Sequence, residues 1–152
     1  MTKILMVCLG NICRSPMAEG LMRDYLAKNQ RSDIKVASAA TSTWEHGNPV
    51  HPGTKKVLTG LGIDTSAMFS TPITTQDFYE YDYIIGMDHQ NVADLSARAP
   101  QDCKEKVYLY LDVVDGYQGK EVPDPWYTGD FEETYRLLSL GLKPWYEKIK
   151  IE

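Results

Sequence analysis

The stretch CLGNICRSP at residues 8–16 sets a cysteine, a glycine, an asparagine and an arginine close together, directly after the apolar run ILMV. A thiol is a strong nucleophile only as its thiolate. Beside a helix N-terminus and an arginine a cysteine ionises at about 3.5–7.5 instead of about 8.5, so Cys8 is expected to be anionic near neutrality. Arg14 offers a planar fork that grips two oxygens of a phosphate, which the point charge of a lysine cannot do. Between them Leu9, Gly10, Asn11, Ile12 and Cys13 form a short loop. Gly10 and Asn11 tolerate left-handed backbone angles, so successive N–H groups can turn inward as an anion nest. Ser15 is expected at the N-cap, with Pro16 in the first turn, of a helix whose positive end faces the same cup. The chemistry predicted is attack by sulfur on a phosphoester held in that cup.

Such a displacement needs a proton donor for the departing oxygen, and it has to come from elsewhere in the chain. PDPW at residues 123–126 supplies Asp124, stiffened between two prolines. Near a thiolate and a dianionic ligand its carboxyl is expected to stay protonated as the acid and to act later as base for water.

The elements that would position these groups follow from patterning. KILMVC (3–8) is a continuous apolar run, the pattern of a strand covered on both faces. Further strands are predicted at 33–39, 81–87 and 106–112. Helices are predicted from Ser15 onward, at 51–63, at 74–81 with Thr74 and Asp77 as caps, at 90–99, and from Phe131, where Pro144 should kink or restart the chain. Alternation of strands and helices argues for an open parallel α/β sheet. In such sheets ligands lie at the carboxyl ends of the strands, where Cys8 falls. Residues 115–130, rich in Gly, Pro and Asp, read as a long surface loop after the last strand.

The 152 residues fit one domain, 1–152, without repeats or a dividing linker. Sixteen basic residues against twenty-one acidic ones give a net charge of -5, which disfavours nucleic acid as a main partner. The apolar stretch near the start is shorter than that of a signal peptide, and no window approaches a membrane span, so a soluble, cytoplasmic protein is expected, and it is read as a monomer without a membrane partner. Three cysteines, Cys8, Cys13 and Cys103, are too few and odd for a disulfide framework. His46, His51 and His89 lack ligand-like spacing with them, so neither a metal nor another cofactor is expected.

VCLGNICRSPMAEG near the amino terminus, SAATS at 38–42, FYEYDYIIGMD at 78–88 and DPWY at 124–127 together resemble the low-molecular-weight protein tyrosine phosphatase family. The Cys-x5-Arg-Ser element is shared by several unrelated phosphatase folds; its position at the extreme amino terminus with a late Asp-Pro-aromatic pair is specific. The resemblance implies an open twisted four-stranded parallel sheet flanked by helices on both faces, with the phosphate-binding loop between strand 1 and helix 1. It implies phosphotyrosine-containing proteins as substrates, inorganic phosphate as product, and a phosphocysteine intermediate without metal. Cys8 is then the nucleophile, Arg14 the phosphate clamp and Asp124 the acid and base. Asn11 would hold the loop's turn through hydrogen bonds with Ser38, Ser15 would donate to the thiolate, and Asp88 would support the loop from the third strand. Trp44, Trp126 and Tyr127 match aromatic positions that wall the pocket. After GID (62–64) many relatives carry a basic or histidine-containing stretch. Here TSAMFSTPI stands, which predicts that the loop network lacks a polar partner.

Some residues stay two-sided. Cys13 is either a small packing residue or a partner for reversible oxidation with Cys8. The rival activities are arsenate reduction, which requires further cysteines absent from 68–83, and phosphoarginine hydrolysis, for which Ile12 is the apolar version of the loop side chain. A non-catalytic phosphate-binding module could dispense with Cys8 or Asp124, yet this chain has both.

Overall fold

The computed structural model describes residues 1–151. Four strands, β1 (Thr2–Cys8), β2 (Ile34–Ala40), β3 (Tyr83–Gly86) and β4 (Val107–Leu109), form one parallel sheet in the order β2-β1-β3-β4. The chain leaves β1 to build β2 on one side, then crosses to build β3 on the other. That reversal beside β1 opens a crevice at the carboxyl ends of β1 and β3, and β1 ends on Cys8.

Why β1 is central follows from its composition. Ile4, Met6 and Cys8 face one side and Leu5 and Val7 the other, and all five are buried. Helices α1 (Arg14–Lys28), α2 (Pro52–Gly60) and α6 (Phe131–Ile151) cover the first face through Met17, Met22, Leu58, Leu138 and Trp145. Helices α3 (Thr75–Glu80) and α4 (His89–Arg98) cover the second with Phe78 and Leu95. Each such side chain contributes about 1.5–3 kcal/mol on burial. The short helix α5 (Pro125–Thr128) lies at the crevice. No helix among the described residues is long and apolar enough to cross a membrane.

The predicted capping box of Thr74 and Asp77 is present at α3. Three expectations are corrected. The fourth strand is only Val107–Leu109, because the chain tightens into a 3-10 turn at Tyr110–Val113 that buries Tyr110 and Leu111. Pro144 sits inside α6, which runs on unbroken. Its missing N–H removes one helical bond, but Tyr110 pins the helix on both sides of the proline: its hydroxyl donates to Leu138 O at 2.6 Å, and its carbonyl accepts the indole N–H of the fully buried Trp145 at 2.9 Å. Ser15 is not the cap of α1: Cys13 is, without a side-chain cap bond, and the Ser15 hydroxyl is engaged beside Cys8 instead.

Candidate active site

The loop between β1 and α1 folds back over the end of its own strand. Cys8 Sγ receives the backbone N–H of Asn11 at 3.3 Å and of Ser15 at 3.4 Å, and the Ser15 hydroxyl lies 3.1 Å away. Two backbone N–H donors converge on the sulfur, and donors of this kind favour an anion at the point where they meet. The turn that brings them there is made at Asn11, whose φ is 55°. Asparagine tolerates this left-handed angle because its short amide bonds locally. Gly10 does not share it, contrary to the sequence expectation.

Five carbonyls of this segment, those of Cys8, Leu9, Gly10, Ile12 and Cys13, are claimed by neighbours outside the cup. Cys8 O accepts from Thr41 N (3.0 Å), Leu9 O from Ser42 N and Oγ (3.1 and 2.8 Å), Gly10 O from Ser70 Oγ (2.8 Å), Ile12 O from His51 N (2.9 Å) and Cys13 O from Thr54 Oγ1 (2.9 Å). With the acceptors turned outward, the N–H groups are left on the concave side, the arrangement of an anion nest. Asn11 completes the scaffold: its Oδ1 accepts from Thr71 N at 3.0 Å, and its Nδ2 donates to Ser15 Oγ at 2.7 Å and Ser38 Oγ at 2.9 Å. TSAMFSTPI therefore does supply polar partners, through Ser70 and Thr71, where a missing partner was expected.

Arg14 is 2 % exposed and held from three sides. Nη1 donates to Asp88 Oδ2 at 2.8 Å and to Val122 O at 2.9 Å, while Nη2 meets Asp124 Oδ2 at 3.4 Å. Asp88 uses its second oxygen to accept from Asn91 N at 2.7 Å as the N-cap of α4, so one carboxylate ties Arg14 to the start of that helix. Burial opposes the guanidinium charge, but the Cys8 sulfur and the two carboxylates outweigh it and raise the Arg14 pKa. Arg14 Nε is buried and has no hydrogen-bond partner among the described residues. A buried donor of this kind costs free energy unless an acceptor arrives, and a phosphoryl oxygen is one.

Cys8, Leu9, Gly10, Ile12, Cys13 and Asp124 line a cavity of about 150 Å³ walled by Trp44, Glu45, Trp126 and Tyr127. This is well below the roughly 300–1,000 Å³ of drug-sized pockets and suits one ring carrying one phosphate. Trp44, Trp126 and Tyr127 are 76 %, 56 % and 77 % exposed, so their faces are open to a ligand. Asn11 and Ser15, expected among the substrate-binding residues, have buried side chains outside this lining and can reach a ligand only through backbone N–H groups. Asp124 is fixed as the N-cap of α5, accepting from Trp126 N at 3.1 Å. Burial, with Cys8 next in importance, pushes the Cys13 thiol up to about 12, so Cys13 stays a neutral thiol near neutrality.

Sequence reasoning missed Glu19, Glu45, Ser42, His51, Thr54, Ser70 and Thr71. Glu19 accepts from Ser38 Oγ at 2.6 Å, and burial raises its pKa against the opposing effects of Ser38 and Arg23. Hydroxyl and backbone anchors of this kind carry no signature in sequence, since any serine or threonine brought near a loop carbonyl would serve. Among the described residues no group of three His, Cys, Asp or Glu side chains is arranged to hold a metal ion.

A loop folded round a cysteine sulfur at the switch point of this sheet is the arrangement of a class of phosphatases, and comparison with known proteins agrees. The family model described as low molecular weight phosphotyrosine protein phosphatase matches residues 3–152. The low molecular weight protein-tyrosine-phosphatase YfkJ of Bacillus subtilis is 40 % identical over 153 residues, covering 100 % of this chain and 98 % of that protein. Its crystal structure superposes with a TM-score of 0.94 over 99 % of this chain and 95 % of that one. PtpA of Staphylococcus saprophyticus is 40 % identical over 138 residues, 91 % of this chain and 87 % of its own length. The crystal structure of SP-PTP from Streptococcus pyogenes is 45 % identical, with a TM-score of 0.84 over 97 % of this chain and 93 % of that one. The chain belongs to the low molecular weight protein-tyrosine-phosphatase family and is an enzyme of that kind.

Proposed function

We propose that this single-domain enzyme hydrolyses phosphotyrosine in proteins through a cysteinyl-phosphate intermediate, with Cys8 as nucleophile, Arg14 as clamp and Asp124 as general acid and base. The observation that carries the reading is that Cys8 and Asp124 line the same small cavity, the sulfur being held by two backbone N–H donors and in hydrogen-bond contact with the Ser15 hydroxyl.

The Cys8 thiolate attacks phosphorus as the bond from phosphorus to the aryl oxygen breaks, and Asp124 transfers its proton to that oxygen, releasing tyrosine. Charge on the three equatorial oxygens is met by the loop N–H groups and by Arg14, whose unpartnered Nε gains an acceptor. In the second half Asp124, now a carboxylate, takes a proton from water as the water oxygen attacks phosphorus. The sulfur–phosphorus bond breaks, its electron pair returns to sulfur and inorganic phosphate departs. The phenyl ring lies between the faces of Trp126, Tyr127 and Trp44, which phosphoserine would leave unfilled. That burial is worth about 1.5–3 kcal/mol, a preference on the order of tenfold to a hundredfold. The relay of cysteines needed for arsenate reduction finds no support, because Cys103 is buried in the core on the opposite face of the sheet from Cys8.

Hydrolysis of an aryl phosphate by the wild type and by Cys8→Ser tests the reading. The variant is expected to lose activity by at least about a thousandfold. Equal rates would exclude Cys8 as nucleophile.

A further inference from the structure

We propose that His51 is a positioning residue for the acid side of the cavity: its imidazole fixes Trp126, and with it Asp124, against the loop that surrounds Cys8. This rests on the assignment of Asp124 as general acid. His51 lies outside the lining of the cavity that holds Cys8 and touches no reacting atom.

The segment that carries Asp124 and Trp126 has few holds of its own. α5 is a single turn, and among the described residues no hydrogen bond of residues 125–129 leaves the stretch 124–130. Asp124 caps that turn, its Oδ1 accepting from Trp126 N and its carbonyl from Tyr127 N and Thr128 N at 3.1 and 3.2 Å. Acid and wall therefore move as one piece. Three contacts hold the piece: the buried Pro125, the approach of Asp124 to Arg14, and the Trp126 ring set edge-on against His51 at 5.8 Å and 82°. The second, at 3.4 Å, is longer than an ordinary charge-assisted bond and leaves much of the work to the third.

His51 is suited to act as that hold because it is itself tied down on three sides. Its backbone N–H donates to Ile12 O at 2.9 Å, in the loop around the sulfur. Its Nδ1 accepts from Gly53 N at 3.0 Å, which caps α2 and stops the ring from turning. Its face lies on Phe131, 4.9 Å away and inclined by 22°, at the first residue of α6. Gly53 makes this stack possible, since a Cβ there would stand 2.5 Å from carbons of the Phe131 ring. One imidazole thus touches the chain on both sides of the left-handed turn at Gly129, Trp126 before it and Phe131 after it, and refers both to the loop. A general acid must lie within hydrogen-bond reach of the departing oxygen, so a shift of this turn weakens proton transfer.

Two substitutions divide the residue into its parts. His51→Asn keeps an acceptor for Gly53 N and loses the ring; His51→Phe keeps the ring and loses the acceptor. The first readout is the ratio of kcat/KM for an aryl phosphate with a poor leaving group to that for an activated one, in which a loss of ring binding common to both cancels. His51→Asn is expected to lower this ratio by about three- to tenfold, and His51→Phe to leave it within about twofold of wild type. A residue that served only as a helix cap would give the reverse order. The second readout is acrylamide quenching of tryptophan fluorescence in a Trp44→Phe background, where Trp145 is fully buried and Trp126 is the accessible indole. The quenching constant should rise toward that of a fully exposed indole in His51→Asn and stay at its starting value in His51→Phe.

A wild-type ratio in His51→Asn, a fall in His51→Phe as large as in His51→Asn, or unmoved quenching in His51→Asn would each overturn the proposal. Should His51→Asn fail to fold, Phe131→Leu, which takes away the flat surface on which the imidazole lies, decides: a lowered ratio supports the proposal and an unchanged one overturns it. Quenching needs no turnover. The expected quenching pattern in a protein whose wild type leaves aryl phosphates intact would refute the phosphatase reading and leave the hold of His51 on Trp126 standing. An Asp124→Asn variant with a wild-type ratio would remove the acid assignment alone.

Discussion

Arg14 Nη2 stands 3.4 Å from Asp124 Oδ2, joining a residue of the first helix to one near the end of the chain. The proposed clamp and the proposed acid therefore hold each other in place before any phosphate is bound.

Asp124→Asn separates the acid role from this structural one. Asparagine still accepts from Trp126 N as a helix cap, so the fold is expected to be kept. Turnover of an ester with a poor leaving group should fall by about 10²–10⁴, and that of an activated aryl ester by about tenfold or less, because only the former needs a proton. Steady-state rates on a series of leaving groups check this; equal losses across the series would remove Asp124 from the acid role.

Trp126→Ala probes the cavity wall. Trp126 also packs edge-on against His51 at 5.8 Å, but over half of its surface is free for a ligand ring. KM for an aryl phosphate is expected to rise about tenfold, while inhibition by inorganic phosphate, which has no ring, stays unchanged. A parallel loss of phosphate binding would show that the ring acts on the loop and not on the substrate.

The two loop cysteines should differ in reactivity. Cys13 is held up to about 12 by burial, so raising the pH from 6 to 9 leaves it below its pKa and still a neutral thiol. Mass analysis after brief treatment with iodoacetamide across that range should find the label on Cys8, and Cys8→Ser should take up almost none. Labelling of Cys13 at the rate of Cys8 would contradict the electrostatics of the loop.

Gly141 lies inside α6 where helix propensity favours alanine by about 1 kcal/mol. A Cβ there would sit 2.8 Å from Tyr110 Cζ and 2.9 Å from its hydroxyl oxygen. Tyr110 cannot give way easily, because it is fully buried and its hydroxyl donates to Leu138 O at 2.6 Å. Gly141→Ala is thus expected to destabilise by about 1–3 kcal/mol net, lowering Tm by about 3–10 °C in thermal denaturation. An unchanged or higher Tm would mean that the ring shifts at no cost.

Much of the candidate site's geometry was legible in sequence because it is local. Cys8, the loop and Arg14 are contiguous, and the preference of Asn11 for a left-handed turn and of β1 for burial on both faces are properties of short stretches. Asp124 was legible because two prolines flank it, as were Thr74 and Asp77 as caps of α3. Ser15 misled, since its residue type favours an N-cap, yet the fold uses its hydroxyl beside the sulfur.

What the tertiary structure decided are the choices that local chemistry leaves degenerate. Many hydroxyls in this chain can satisfy a carbonyl, and packing alone selected Ser42, Thr54 and Ser70 to turn the loop's oxygens outward. The length of β4 and the passage of α6 through Pro144 were settled by the burial of Tyr110 and Trp145 against each other, an energy that no window of sequence contains. The residues of the loop that surrounds the sulfur were written in one short segment. The partners that hold them came from strands and loops tens of residues away, because a hydrogen bond is chosen by distance in space and not by position in the chain.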